Sequence, residues 1–514
     1  MEKTSLAPLL AAAIPALAVV LIYVTRERPN LREACSVAAA ALQFLIVLSM
    51  VPPVLDGNTL HVTLSSFIPQ VSIAFRADAL GLLFAGTASF LWLLTTVYSI
   101  GYLRSLGERG QTRYYAAFAI ALTATMGIAF SANLFTLYLF YEALTLITYP
   151  LVTHAQTGEA YAAGRRYLQY HLATSIAFLL PAIIVTFALA DTFDFRPGGV
   201  FPAGTDSTGL VVAYVLFLLG ATKAAIMPLH LWLPGAMVAP VPVSALLHAV
   251  AVVNAGVFLM LRVILEVFGL DLMDDLGLGT VTAVFVSITV VLATVYAFRL
   301  DSLKAVLAYS TISHLALMIL GVALLDREAM TGGVMHLVNH SLAKITLFFC
   351  VGSLLIATGK TKISELSGIG RQLPWTMGAF TVGALSIVGI PPTAGFVTKY
   401  YLAIGMIDAK HVPFLLVLFL STLVSAGYYL RILRVAFFDS SQEPALARVR
   451  APDRPGEPGE ESLNPAPTGQ EDPAPQAKDP RLLIIAPLVV TAALSLAIGV
   501  YPSFVLELVD EALP

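Results

Sequence analysis

Apolar runs of about twenty residues, separated by short polar breaks, follow one another along almost the whole chain. About fourteen are long enough to span a bilayer as helices. They cover 5–25, 33–53, 78–103, 114–131, 134–153, 167–190, 209–230, 241–268, 279–299, 303–325, 330–357, 374–404, 411–437 and 482–503. Loops this short make neighbouring helices antiparallel. The run from Ser5 to Tyr23 is longer than a signal-peptide core, and Glu2 weakens a basic leader, so it is expected to be a retained span.

Two stretches depart from this pattern. Apolar and polar residues alternate from His61 to Asp78, which suits a short β-hairpin at the membrane surface. The stretch from Ser440 to Asp479 is rich in Pro, Glu and Gly, cannot build a core, and is expected to be a disordered loop.

Composition sharpens the class. Of 514 residues, 58% are hydrophobic and only 12% charged, which excludes a soluble multidomain protein. The expected fold is an all-α integral membrane protein. The net charge of -3 is uninformative, because the charges lie in loops. Basic residues concentrate after odd-numbered spans (Arg26, Arg28, Arg32, Arg104, Arg109, Arg113, Arg165, Arg166, Arg299, Lys304, Lys360, Lys362 and Arg371). Loops after even-numbered spans hold little beyond Arg76, Arg196, Arg327 and Lys410. The positive-inside rule then places both termini outside. Arg165 and Arg166 read as a loop anchor.

The seventh run contains GATKAAIMPLHLWLP, Gly220 to Pro234. Lys223 is a charge in hydrocarbon, and Pro228 removes a helical donor five residues later. Such a break is tolerated only against protein or a water-filled cavity. The twelfth run repeats the theme, with Pro391–Pro392 near Lys399. Spans four to eight and nine to thirteen then form two five-helix units, each broken in its fourth helix. Five helices per unit makes the second inverted relative to the first. Paired interrupted spans point to a transporter's ion site. The expected divisions are 1–110, 111–268, 269–437, a loop at 438–481, and 482–514.

Other polar residues fall inside the spans. Glu142 lies in the fifth, with Lys223 as its natural countercharge; the bland alternative is an ion pair that pins two helices. His336, His340 and Lys344 are spaced by four in the eleventh span and line one helical face. Imidazoles pass protons both ways near neutral pH, so such a file suits proton relay. His248 and Asn254 lie in the eighth span, His230 just past the break, and His314 in the tenth, where relay and packing both remain open. For His171, in the sixth, packing is the simpler reading. Tyr138, Phe140 and Tyr141 read as ordinary lipid-facing or core residues. Cys35 and Cys350 offer no disulfide framework or metal spacing, and no Walker or dinucleotide motif occurs. No cofactor, metal or nucleic acid is expected, and the chain is not expected to be an enzyme by itself.

The segments KAAIMPLHLWLPGAMVAPVPVSALLHA, LKAVLAYSTISHL, HLVNHSLAKITLFF and GIPPTAGFVTKYYL resemble the proton-translocating antiporter-like subunits of respiratory complex I, from about Asp78 to Phe437. Within that family the chain is most similar to the D-type subunits of the multisubunit Mrp sodium/proton antiporters. The resemblance implies fourteen helices with two inverted five-helix repeats, and it places family site residues on Glu142, Lys223, His248, His336, His340, Lys344 and Lys399. His230, Asn254 and His314 are secondary relay candidates. Asn254 stands where many relatives have lysine, and His314 where glutamine is common. The resemblance further implies a bacterial inner membrane, partner membrane subunits, protons and Na+. Two other assignments use the same module: a proton pump in a complex I-like or hydrogenase-type redox complex, without its own redox centre, or a subunit of an inorganic-carbon uptake complex.

Overall fold

The computed structural model describes residues 1–68, 71–439 and 478–514. Fourteen membrane segments, α1–α14, run in chain order. The first six are α1 Ala7–Val24, α2 Pro29–Leu55, α3 Ala79–Ser105, α4 Gln111–Ala129, α5 Leu134–Val152 and α6 Gly158–Ala190. After them come α7 Ser207–Gly220, which ends in an unwound stretch, and α8 Val241–Phe268. The series continues with α9 Leu278–Arg299, α10 Leu303–Ala323, α11 Arg327–Thr358, and α12, split into Pro374–Val388 and Ala394–Asp408. It closes with α13 Val412–Phe437 and α14 Leu482–Val500, and a surface helix, α15 Ser503–Ala512, follows.

Among the described residues, 11 of these helices are long and apolar enough to cross a membrane unaided. The other three are informative. α4 is the more polar one, and α7 and α12 are the interrupted ones. Large apolar side chains such as Leu17, Ile176, Ile288, Leu416 and Leu423 are exposed around the outside, as a lipid-facing surface requires.

Side-chain caps fix where several spans begin. Asp78, Asn133, Thr157, Asp206 and Asp326 each accept the backbone N–H three residues on, starting α3, α5, α6, α7 and α11. Each cap satisfies a donor that the first helical turn would otherwise leave orphaned.

The hairpin forms as the alternation predicts. β2 (Thr59–Ile68) and β3 (Val71–Ala77) pair antiparallel. The all-α expectation missed a third strand: β1 (Glu2–Thr4) pairs in parallel with β2, and α1 and α2 supply the crossover. Three residues carry too little pattern to be read as a strand alone.

Two boundaries also differ from the hydropathy pattern. The sixth span begins at Gly158 rather than 167, so Arg165 and Arg166 lie on a helix and not in a loop. The polar sequence GEAYAAGRR hides that extension, which the Thr157 cap starts. The second begins at Pro29, and its Arg32 and Glu33 are buried. Most of the Pro/Glu-rich stretch lies outside the described residues. At its far end, Asp479 accepts hydrogen bonds from the Trp375 and Thr376 amides and so caps α12.

At one end of the bundle a four-membered ion network joins the hairpin to the helices. Arg262 on α8 holds Asp78 with two bonds of 2.8 Å and also pairs with Glu266. Arg76 on β3 bonds Glu266 at 2.5 Å, Asp78 at 3.0 Å and the Phe195 carbonyl at 2.9 Å. Burial would push the Asp78 carboxyl up, but Arg262 and Arg76 outweigh it and hold it well below the usual carboxylate range.

Candidate functional site

The break in the seventh span begins earlier than Pro228 implies. The helix stops at Gly220, and Lys223 sits in a 3-10 turn, Thr222–Ala224, followed by Ala225 at φ +52°. Lys223 is therefore inside the unwound stretch and not on the helix before it. Gly256 of α8 makes this possible: a Cβ there would lie 2.1 Å from the Ala224 nitrogen, so only glycine lets the turn pack so closely. The indole N–H of Trp232 donates to the Thr222 carbonyl at 3.0 Å, satisfying one acceptor that the lost helix frees.

Lys223 is fully buried, yet it does not pair directly with Glu142. Its ammonium donates to the Thr145 hydroxyl at 2.7 Å and lies 3.4 Å from the centroid of the Tyr141 ring. Glu142 accepts instead from the Ser175 hydroxyl at 2.5 Å. Tyr141, expected to be ordinary packing, thus supplies a cation–π face to the lysine. Thr145 stands one helical turn from Glu142, so α5 presents an acid and a hydroxyl to the same region. The acid and the lysine expected to be countercharges are near neighbours held on separate hydroxyls.

Beyond the break, α8 contributes His248 and Asn254, both fully buried. His248 lies in a π-helical turn, Leu246–Val250, which re-aims the side chains around it. Among the described residues neither of its ring nitrogens has a hydrogen-bond partner, and its ring packs on Phe348 at 5.0 Å. Its carbonyl lies 3.3 Å from His340 Nε2. The Asn254 amide donates to the Ala249 carbonyl at 3.0 Å and the Ser341 hydroxyl at 2.9 Å, which ties α8 to α11 beside His340.

Three imidazoles cluster at the centre of the second half. His314 Nδ1 is 2.8 Å from His336 Nε2, and His336 Nδ1 is 3.0 Å from the Thr398 hydroxyl. The His340 ring lies 5.9 Å from that of His314. His314, for which the sequence allows relay or packing, is in direct hydrogen-bond contact with the file. One ligand atom from each of the three falls within 4.8 Å of the others, the spacing of a metal site. The donor set argues otherwise. Two of the nitrogens are already bonded to each other, and Lys344 sits one turn from His340 on the same helix.

Lys344 donates to the Leu307 carbonyl at 3.2 Å and the Tyr429 hydroxyl at 3.4 Å. Lys399, in the second piece of α12, donates to the Val388 carbonyl at 2.9 Å and the Thr422 hydroxyl at 2.8 Å. The two broken helices thus carry their lysines differently: Lys223 in the unwound turn, Lys399 on regular helix past the break. His230 is set apart. It is part-exposed, and its ring nitrogen Nδ1 lies 3.3 Å from the Pro228 carbonyl. Lys304, expected in a loop, is on α10 and donates to the Met237 and Ala239 carbonyls at 3.1 and 2.8 Å. It fastens α10 to the stretch just before α8.

Hydroxyl partners (Thr145, Ser175, Thr398, Thr422 and Tyr429) are not legible from sequence. Serine and threonine are common in spans, and only the fold shows which of them face a lysine or histidine.

A polytopic helical bundle with two unwound spans and a buried file of lysines and histidines defines the class of antiporter-like membrane subunits. The chain belongs to the NADH:quinone oxidoreductase/Mrp antiporter transmembrane family, which matches residues 131–441. It is 31% identical over 427 residues to the NADH-quinone oxidoreductase subunit N of Desulforudis audaxviator, covering 82% of this chain and 84% of that one. It is 25% identical to the D-type subunit of the Na(+)/H(+) antiporter of Bacillus subtilis, over 84% of this chain and 86% of that one. Its structure matches a chain of the Mrp complex from a Dietzia species with a TM-score of 0.84 and 25% identity, covering 99% of this chain and 96% of that chain.

Proposed function

We propose that the chain is the proton-translocating subunit of a multisubunit monovalent cation/proton antiporter, with Na+ as the exchanged cation. The observation that carries this reading is the hydrogen-bonded pair His314–His336, flanked by His340, Lys344 and Lys399, with Lys223 at the other end of the membrane-buried polar groups. Neutral imidazoles in contact can accept a proton on one nitrogen and release one from the other.

In this mechanism a proton enters near the break that holds Lys223. It crosses past His248 and Asn254 to His340, His314 and His336, and leaves near Lys399. Glu142 sets the charge on Lys223: when the carboxylate swings from Ser175 to the lysine, the ammonium is held charged. When it returns to Ser175, as it stands here, Lys223 is released to give up its proton. Residues 111–268 and 269–437 act as the two inverted units. The proposed setting is a bacterial inner membrane with both termini outside, and the other membrane subunits of the complex carry the cation.

A second reading follows from the likeness to an oxidoreductase subunit: the same module serves a redox-driven pump whose centres lie in other chains. Purification of the intact complex separates the two. Several small hydrophobic subunits and Na+-driven proton movement support the antiporter, whereas copurifying iron–sulfur proteins support the redox pump.

A further inference from the structure

His171, on α6, is buried to 1% exposure, and among the described residues neither ring nitrogen has a hydrogen-bond partner. Burying an imidazole with both nitrogens unmet is costly, and packing alone does not require a histidine there. Its ring lies edge-on between Tyr167 at 4.4 Å and Trp232 at 4.3 Å. Trp232 in turn bonds the Thr222 carbonyl, the residue next to Lys223. One turn along α6 from His171, Ser175 holds Glu142. His171 therefore faces the neighbourhood of the acid and the lysine of the first unit.

The register of the two inverted units supports a role. His171 stands fourteen residues after the cap Thr157, and His340 fourteen after the cap Asp326. Tyr167 and His336 each stand ten after those caps, and Ser175 and Lys344 eighteen. On the second helix of each unit, Thr145 and His314 each stand twelve after Asn133 and Ser302. At these positions the first unit thus keeps one imidazole where the second keeps three, with Thr145 and Tyr167 in place of His314 and His336. A π-helical turn, Ser175–Leu179, begins directly after this face of α6, as one surrounds His248 on α8. Such turns mark functional positions within helices.

We propose that His171 is a proton-carrying group of the first unit, the counterpart there of His340, and the acceptor of the proton released by Lys223. This rests on the relay reading above. The N–H bond of the Lys223 ammonium breaks and an N–H bond forms on one ring nitrogen of His171, across a bridging water or hydroxyl. The other ring nitrogen then gives up its proton toward α8, and no electrons move.

The test uses the intact complex in inverted vesicles, following cation-driven proton movement. His171→Phe keeps a ring between Tyr167 and Trp232 but cannot carry a proton. The expected result is a loss of about tenfold or more in exchange rate, with partner subunits retained and thermal stability unchanged. An aromatic packing role predicts near wild-type exchange in that variant, and that result overturns the proposal. Lys223→Ala is run in parallel. If it is inactive while His171→Phe works, only the role of His171 fails; if both exchange at wild-type rates, the relay itself fails. Should His171→Phe fail to assemble, His171→Gln is read by the same criteria.

Discussion

Lys223 and Glu142 are held apart by two hydroxyls: the amine on Thr145 at 2.7 Å, the carboxylate on Ser175 at 2.5 Å. If this is one position of a switch, the hydroxyls set its balance. Ser175→Ala removes the separated position's hydrogen bond and leaves the carboxylate to Lys223. Exchange should slow by about tenfold or more in inverted vesicles while assembly stays intact, since a hydrogen bond to a charged group is worth about 1.5–3 kcal/mol. An unchanged rate means that Ser175 is only a packing contact.

The His314–His336 contact makes a second prediction. His314→Ala breaks the 2.8 Å bond and leaves His336 with Thr398 and Asn339. Proton movement should fall by about tenfold or more. His314→Gln keeps a hydrogen-bonding partner but cannot take up a proton, so it should fall by as much. A near wild-type rate in His314→Gln would show that hydrogen bonding at this position, and not titration, is what matters.

The Asp78–Arg262 pair concerns stability rather than transport. Asp78→Asn leaves the fully buried Arg262 with Glu266 only, and breaking a buried pair from one side costs on the order of 3 kcal/mol. The purified variant should melt at a lower temperature. The double variant Asp78→Asn/Arg262→Met should recover part of that loss, because no buried charge is then left short of partners.

His154 follows α5, outside the spans, and rests edge-on against Tyr114 at 5.6 Å. Burial, and then the nearby Arg113 guanidinium, push its imidazole down to about 4. In the unfolded chain its value is near 6.5. The stability this gives is present above pH 6.5 and is lost as pH falls through about 4, because the unfolded state takes up the proton first. Melting temperature should drop across that window, and His154→Phe should flatten the drop.

How much of this is legible in the chain differs between features. Spans announce themselves through apolar length, because no other composition survives in lipid. Lys223, Lys399 and the four-residue spacing of His336, His340 and Lys344 stand out for the same reason: a charge or a file of imidazoles in hydrocarbon needs a purpose. Geometry that depends on other helices is hidden. The lysine's seat inside the unwound turn depends on Gly256 of α8, and the choice of Thr145 over Glu142 depends on how α5 meets that turn. The polar start of α6 escapes notice because hydropathy alone ignores the Thr157 cap. His171 and Tyr141 read as packing until the fold places them around the same lysine.

In the proposed mechanism everything turns on Lys223 carrying the transported proton. That is tested most directly by Lys223→Ala in the assembled complex, with cation-driven proton efflux from acid-loaded inverted vesicles followed by fluorescence dequenching. If the lysine carries the proton, dequenching is abolished while the partner subunits still copurify. Dequenching at the wild-type rate in that variant would contradict it.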